Sequence, residues 1–200
     1  MDKSTIETYN QMASEYDNET ITFWEEFPKE IIDKFIQLAP EKSVLDVGSG
    51  PGRDGLILKQ HGIDVTCLDA SSSMVELCLK RGLNAVLGDL NKMPFESESF
   101  DGVWAYTSLL HVHKAKIDDS LDEIDRVLKT NGIFGLGMIE GDSEGYRESA
   151  GVNKPRWFSY YSEDEIRTLL EKHGFEILYF SKFQPRTSSY LNFIGRKLSS

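Results

Sequence analysis

Two hundred residues, 40% of them apolar and 28% charged, suit one globular domain large enough to bury a core without disulfide staples. The formal net charge of −11 sets the surface as a whole against phosphate backbones and anionic lipid, which argues against indiscriminate nucleic-acid binding. Residues 1–10 lack the apolar segment of a secretory signal and no apolar run reaches the length of a bilayer span, so a cytoplasmic chain with no membrane anchor is expected.

Residues 4–19 read as a helix capped by Ser4 or Thr5, with Glu7 placed for a capping box and Ile6, Tyr9, Met12, Ala13 and Tyr16 along one face. A second helix is expected over Phe23 to Leu38, stopped by residues 39–42. Val44, Leu45 and Val47 enclose Asp46 in a short apolar run that reads as a buried parallel strand. Gly48, Gly50 and Gly52 follow on alternate positions, and a helix runs from Arg53 to about His61, closed by Gly62. A strand, a glycine corner and a helix N-terminus together make a ligand crevice at the carboxyl end of a sheet.

Val65 to Leu68 form the second strand and end at Asp69, a position from which an acid reaches a ribose hydroxyl pair. Residues 70–74 open the next helix, and Ala85 to Leu90 make a third strand ending in Gly88-Asp89-Leu90. Cys67 and Cys78 read as buried free thiols, because a metal site lacks its other ligands. After a polar loop, Phe100 to Tyr106 form the fourth strand. Ile117 to Leu128 are an amphipathic helix, residues 129–132 a glycine turn, and Ile133 to Ile139 the fifth strand.

Residues 140–157 read as a long loop rich in Gly, Ser and Glu, overhanging the crevice and followed by the aromatic cluster at 157–161. Glu140, Arg147, Arg156 and the tyrosines are lid or pocket candidates there, with a plain surface connection as the open alternative. Ser162 and Glu165 spell a capping box for a helix to Lys172, with Gly174 at its far end. Phe175 to Phe183 and Tyr190 to Lys197 are joined by a connection short enough for an antiparallel hairpin.

Five stretches, in this order, resemble the small-molecule branch of the class I S-adenosylmethionine-dependent methyltransferases. They are Y-N-x-x-A-x-x-Y-D at 9–17, the acid and glycines from Asp46 to Gly52, Asp69 with Met74, the G-D-L end of the third strand, and F-D-x-V-x-A-x-x-S-L-x-H at 100–111. The likeness implies an α/β Rossmann-like three-layer sandwich with a seven-stranded, mostly parallel sheet in the order 3-2-1-4-5-7-6 and an antiparallel last strand. It implies one domain over 1–200: cover helices at 1–40, a cofactor core at 41–139, a substrate-side loop at 140–161, and a helix with a closing hairpin at 162–200.

The cofactor implied is S-adenosylmethionine and the partner a small-molecule methyl acceptor; no metal is implied, and the oligomeric state stays open. By this likeness Tyr9 and Tyr16 lie above the sulfonium, with Asp46, Gly48, Gly50, Gly52 and Arg53 forming the corner. Asp69 takes the ribose, Ala70 and Met74 follow it with Met74 as an adenine wall, and Asp89 and Leu90 meet the adenine edge. Ala105 and Tyr106 lie beside the methionine part, and His111 lies near the methyl group. His111 is the one catalytic candidate, able to orient an acceptor or take its proton, or else only to brace its loop.

Three alternatives stand beside this reading. Gly50, Gly52 and Gly55 also spell G-x-G-x-x-G, the register of nicotinamide-dependent oxidoreductases, although Gly50 lies late after the strand for that role. A binding module without turnover would keep the same fold. A tRNA or protein acceptor is the runner-up within the methyltransferase reading, and the acidic balance weighs against RNA.

Overall fold

In a computed structural model of the chain, the residues described are 1–21, 29–39, 43–149, 152–185 and 187–199. The helices are α1 (Lys3–Glu19), α2 (Lys29–Leu38), α3 (Arg53–Gln60), α4 (Ser72–Lys80), α5 (Ile117–Val127) and α6 (Glu163–Lys172). The strands are β1 (Ser43–Val47), β2 (Asp64–Asp69), β3 (Asn84–Leu87), β4 (Phe100–Tyr106), β5 (Leu128–Ile139), β6 (Glu144–Ser149), β7 (Val152–Ser159), β8 (Phe175–Phe183) and β9 (Tyr190–Lys197). Residues 23–28 of the expected second helix, and 40–42 of its expected stop, lie outside the described residues.

Seven strands form one sheet in the order β3-β2-β1-β4-β5-β9-β8, with β6 and β7 paired separately. Counted without that separate pair, the order is the expected 3-2-1-4-5-7-6. β1 to β5 run parallel and β9 lies antiparallel to both its neighbours, as a short connection from β8 requires. Alternate residues of the central strands serve opposite faces. Leu45 and Val103 join a core with Leu121 and Ile124 of α5 and Ile166 of α6, whereas Val44 and Trp104 join one with Phe35 of α2 and Leu58 of α3.

Three local expectations are corrected. α1 is capped by Asp2, whose carboxylate accepts from Thr5 N at 2.8 Å, rather than by Ser4 or Thr5. Thr5 is buried, and its oxygen accepts the backbone N–H of Trp157 at 2.8 Å instead of capping its own helix. Residues 129–132, expected as a glycine turn before the fifth strand, fall within β5, where the left-handed residue is Asn131 (φ 64°), while a Cβ at Gly132 would lie 2.6 Å from Leu128 Cδ1, so that glycine supplies room. Residues 140–157 are not an irregular loop, because β6 and β7 pair within them as an antiparallel hairpin.

Trp104 and Tyr106 of β4 stack with ring centroids 5.6 Å apart and lie opposite Gly135 and Gly137 of β5. A Cβ at Gly137 would sit 2.5 Å from the Tyr106 ring. Gly137→Ala is therefore expected to destabilise the fold by about 1–3 kcal/mol and to displace Tyr106. Denaturant unfolding of the purified variant checks this, and an unchanged midpoint would contradict the contact.

Candidate active site

The crevice begins where β1 ends. Gly48, Gly50 and Gly52 all take positive φ (66°, 52° and 83°), and the N–H groups of Gly48 and Ser49 both reach Leu68 O of β2. A Cβ at Gly48 would meet Ser108 at 2.2 Å and one at Gly52 would meet Leu83 at 2.6 Å, but one at Gly50 would meet nothing within 4 Å. Two of these glycines therefore allow close packing. Gly50 instead presents bare backbone to open space.

Asp69 closes the next turn. Its Oδ2 accepts Gly50 N and its Oδ1 accepts Ser71 N, each at 2.8 Å. A carboxylate can accept more bonds than these two, so Asp69 keeps capacity for another donor. Asp46 on β1 and Asp54 in the first turn of α3 are also buried, and Trp104 Nε1 donates to Asp54 Oδ2 at 2.8 Å. Asp46 Oδ2 and Asp54 Oδ1 have no hydrogen-bond partner among the described residues. Burial pushes Asp69 up to about 6 and Asp54 up to about 7, and raises Asp46 well above the carboxylate range with the nearby Asp54 charge adding to the effect.

Helix α1 covers this crevice, and its Y-N-x-x-A-x-x-Y-D residues each make identifiable contacts. Asn10 Oδ1 accepts Ser71 Oγ at 2.8 Å, and Ser73 Oγ donates to Asn10 O at 2.9 Å, which pins the helix to the start of α4. Asp17 bridges Arg53 at 2.7 Å and Arg81 at 2.6 Å, and Arg81 also donates to Pro51 O at 2.5 Å. Ala13 is buried between these clamps. Tyr9 and Tyr16 meet edge to face, 5.3 Å between centroids.

Beyond β4, Thr107 carries a strained φ of 58° and Ser108 Oγ donates to Val47 O at 2.6 Å, tying the two strand ends together. His111 follows in a short 3₁₀ turn and is buried. Its Nδ1 lies 2.5 Å from Trp157 O, a carbonyl that can only accept, so Nδ1 carries the proton. Its Nε2 therefore accepts the Tyr9 hydroxyl at 2.8 Å, and the Tyr9 oxygen accepts Arg156 Nη1 at 2.6 Å. Burial, reinforced by the Arg156 charge, drives His111 down to about 3 and keeps it neutral.

These parts enclose a solvent-connected cavity of about 660 Å³. Of the residues singled out from the sequence, Tyr9, Tyr16, Asp46, Gly48, Gly50, Arg53, Asp69, Met74, Tyr106 and His111 line it. Gly52, Ala70, Asp89, Leu90 and Ala105 do not. Gly52 caps α3, Ala70 helps hold Asp69 through its backbone N–H, and Leu90 and Ala105 are core. Asp89 is about half exposed and holds the Met1 ammonium at 3.1 Å and Asn91 N at 2.9 Å. The lining also includes Met1, Ser49, Pro51, Asp54, Thr107 and Ser108. An acid in the first turn of a helix reads as a partner of the helix dipole, so only its contact with Trp104 shows that Asp54 is buried.

A family model described as a methyltransferase domain matches residues 45–136. The matched stretch, just under half of the chain, resembles a methyltransferase domain. The chain is 34% identical to the sarcosine/dimethylglycine N-methyltransferase of Aphanothece halophytica, over 84% of this chain and 63% of that one. It is 26% identical to the demethylmenaquinone methyltransferase of Thermotoga maritima, over 90% and 93%. Among solved structures, the Burkholderia thailandensis 1,6-didemethyltoxoflavin-N1-methyltransferase, crystallised with 1,6-didemethyltoxoflavin and S-adenosylhomocysteine, shares the fold at a TM-score of 0.73 and 20% identity, covering 97% of this chain and 88% of that one. No described helix of the chain is long and apolar enough to cross a membrane.

The raised carboxylates have a measurable consequence. Between the unfolded and folded pKa values the native state binds more protons than the unfolded chain, so stability falls as pH rises through that window. The melting temperature of the ligand-free protein is expected to drop between about pH 4 and about pH 7. Asp54→Asn, which keeps an oxygen for Trp104 Nε1, is expected to flatten the upper part of that drop. Thermal scans across the range check both, and a rising melting temperature would contradict the burial.

Proposed function

We propose that the protein transfers a methyl group from S-adenosylmethionine to a nucleophile on a small molecule. The observation that carries this reading is the Asp69 carboxylate, held by the Gly50 and Ser71 amides at the edge of the cavity with acceptor capacity left beyond those bonds. Such an acceptor pair suits vicinal hydroxyls, and Gly50 beside it allows a ligand to lie on bare backbone. The unpartnered oxygens of Asp46 and Asp54 suit the cationic end of the same cofactor, which would satisfy two buried acceptors that the protein leaves open. The residues present therefore fit the cofactor.

The bound cofactor supplies an activated methyl group on a positively charged sulfur. What the chain contributes is alignment and exclusion of water. Tyr9 and Tyr16 on the clamped cover helix, with Tyr106 and Thr107, serve the reacting end. His111 serves as a fixed acceptor that orients the Tyr9 hydroxyl, because its one free lone pair is already used there and its low basicity at neutral pH suits no proton abstraction. A small acceptor is supported by the enclosed cavity and the net charge of −11, which disfavours a polyanionic one.

Calorimetric titration with S-adenosylmethionine and S-adenosylhomocysteine, with NADH as control, tests the reading. Both are expected to bind and NADH to give no heat. Asp69→Ala removes charge-assisted bonds of about 1.5–3 kcal/mol and should weaken S-adenosylhomocysteine about ten- to a hundredfold. Unchanged affinity in that variant would remove the ribose assignment, and heat from NADH alone would favour the oxidoreductase.

A further inference from the structure

Two of the carboxylates on the cavity wall flank one indole. Asp46 of β1 lies opposite Trp104 in the sheet register, and Trp104 Nε1 donates at 2.8 Å to Oδ2 of Asp54, in the first turn of α3. A Cβ on Gly55, the residue after Asp54, would lie 3.4 Å from Asp46 Oδ2, so the two acids stand side by side at the start of that helix. Asp46 is 2% exposed and Asp54 6%, both line the cavity, and neither is in an ion pair among the described residues. Asp46 Oδ2 and Asp54 Oδ1 are left without a hydrogen-bond partner there.

Two carboxylates in such a place do not both ionise, because each charge is costly to bury and adds to the cost of the other. The groups that face them supply no free cation. From α3 comes Arg53, whose guanidinium is held by Asp17 at 2.7 Å; from β2 comes Asp69, a further acid; from α4 comes the Cys78 thiol; and from β4 come Trp104 and Tyr106, both uncharged. Burial and then the Asp54 charge raise Asp46, and burial raises Asp54.

We propose that the ligand-free pair of Asp46 and Asp54 keeps one proton, and that the ammonium at the amino-acid end of the cofactor replaces it, so that cofactor binding releases a proton to solvent. This rests on the methyl-transfer reading above. The exchange balances, because a pair holding one proton and a pair holding one ammonium each carry a single net negative charge. An ammonium brings three donors, enough for both unpartnered oxygens, which one proton cannot satisfy together. Binding is thereby linked to pH. Where the pair still holds its proton the ammonium must displace it, so affinity falls as the solution is made more acidic.

Calorimetry of the whole protein at about pH 7, in phosphate and again in imidazole, counts the protons, because the two buffers take up a released proton with different heats. At that pH Asp69, held at about 6, is mostly ionised and contributes little. S-adenosylhomocysteine is expected to release about one proton, and 5′-methylthioadenosine, which keeps the adenosine and the sulfur but lacks the amino-acid end, close to none. The affinity for S-adenosylhomocysteine should also fall by up to about tenfold for each pH unit below about 7. In Asp46→Asn/Asp54→Asn, whose amides keep the packing and an oxygen for Trp104 Nε1, the proton release should vanish. The comparison of the two ligands needs no variant, so it decides the matter even if the double variant proves too unstable to purify. No release with S-adenosylhomocysteine, an equal release with 5′-methylthioadenosine, or an undiminished release in the double variant would overturn the proposal while S-adenosylhomocysteine binding left the methyl-transfer reading standing. Failure of S-adenosylhomocysteine to bind the wild type would sink that reading and this proposal together.

Discussion

The carboxylate of Asp69 joins two backbone turns that the sheet alone would leave apart. β1 and β2 run parallel, and Gly50 and Ser71 lie in the turns that follow them. By accepting Gly50 N from one turn and Ser71 N from the other, Asp69 sets the width of the crevice between them. The cost is a buried carboxylate that burial holds near 6. Two further buried carboxylates nearby compound that cost, so the apo site is electrostatically unfavourable in a way that a ligand with a cationic end would relieve.

Closure of the crevice depends on side chains of α1 rather than on a large apolar contact. Asn10 grips the start of α4, and Asp17 grips Arg53 beside the glycine corner and Arg81 at the end of α4. The hairpin adds a third hold, through Trp157 N on Thr5 and Arg156 on Tyr9. Polar clamps of this kind fix position through directional bonds and can be released at modest cost. A cover that must admit a ligand and then exclude water needs that combination.

Much of the fold was legible because its signals are local. The Ser162 and Glu165 capping box is present with both bonds made, and the short connection between β8 and β9 forced their antiparallel pairing. The glycine corner was legible because three positive φ angles on alternate positions require residues without a Cβ. The hairpin at β6 and β7 was missed because its polar residues carry no strand periodicity; it is held by α1, which lies about 140 residues away in the chain. Arg156 read as a lid or pocket candidate on a loop for the same reason, since an arginine is ordinarily exposed and its burial against the aromatic faces of Tyr9, Tyr16 and Phe158 and on the Tyr9 hydroxyl is a tertiary arrangement.

Local chemistry determined where strands end, where helices are capped and which stretch bends into a ligand corner, because each depends on residues within a few positions of one another. The order of motifs along the chain then carried the resemblance to methyltransferases. Tertiary structure alone decided that Asp54 is buried under Trp104, that Asp89 holds the Met1 ammonium outside the cavity lining, and that His111 spends both nitrogens on Trp157 and Tyr9. Protonation and charge at a site depend on what surrounds a group in space, and those neighbours come from elements about 50 to 150 residues apart in sequence, which no local pattern encodes.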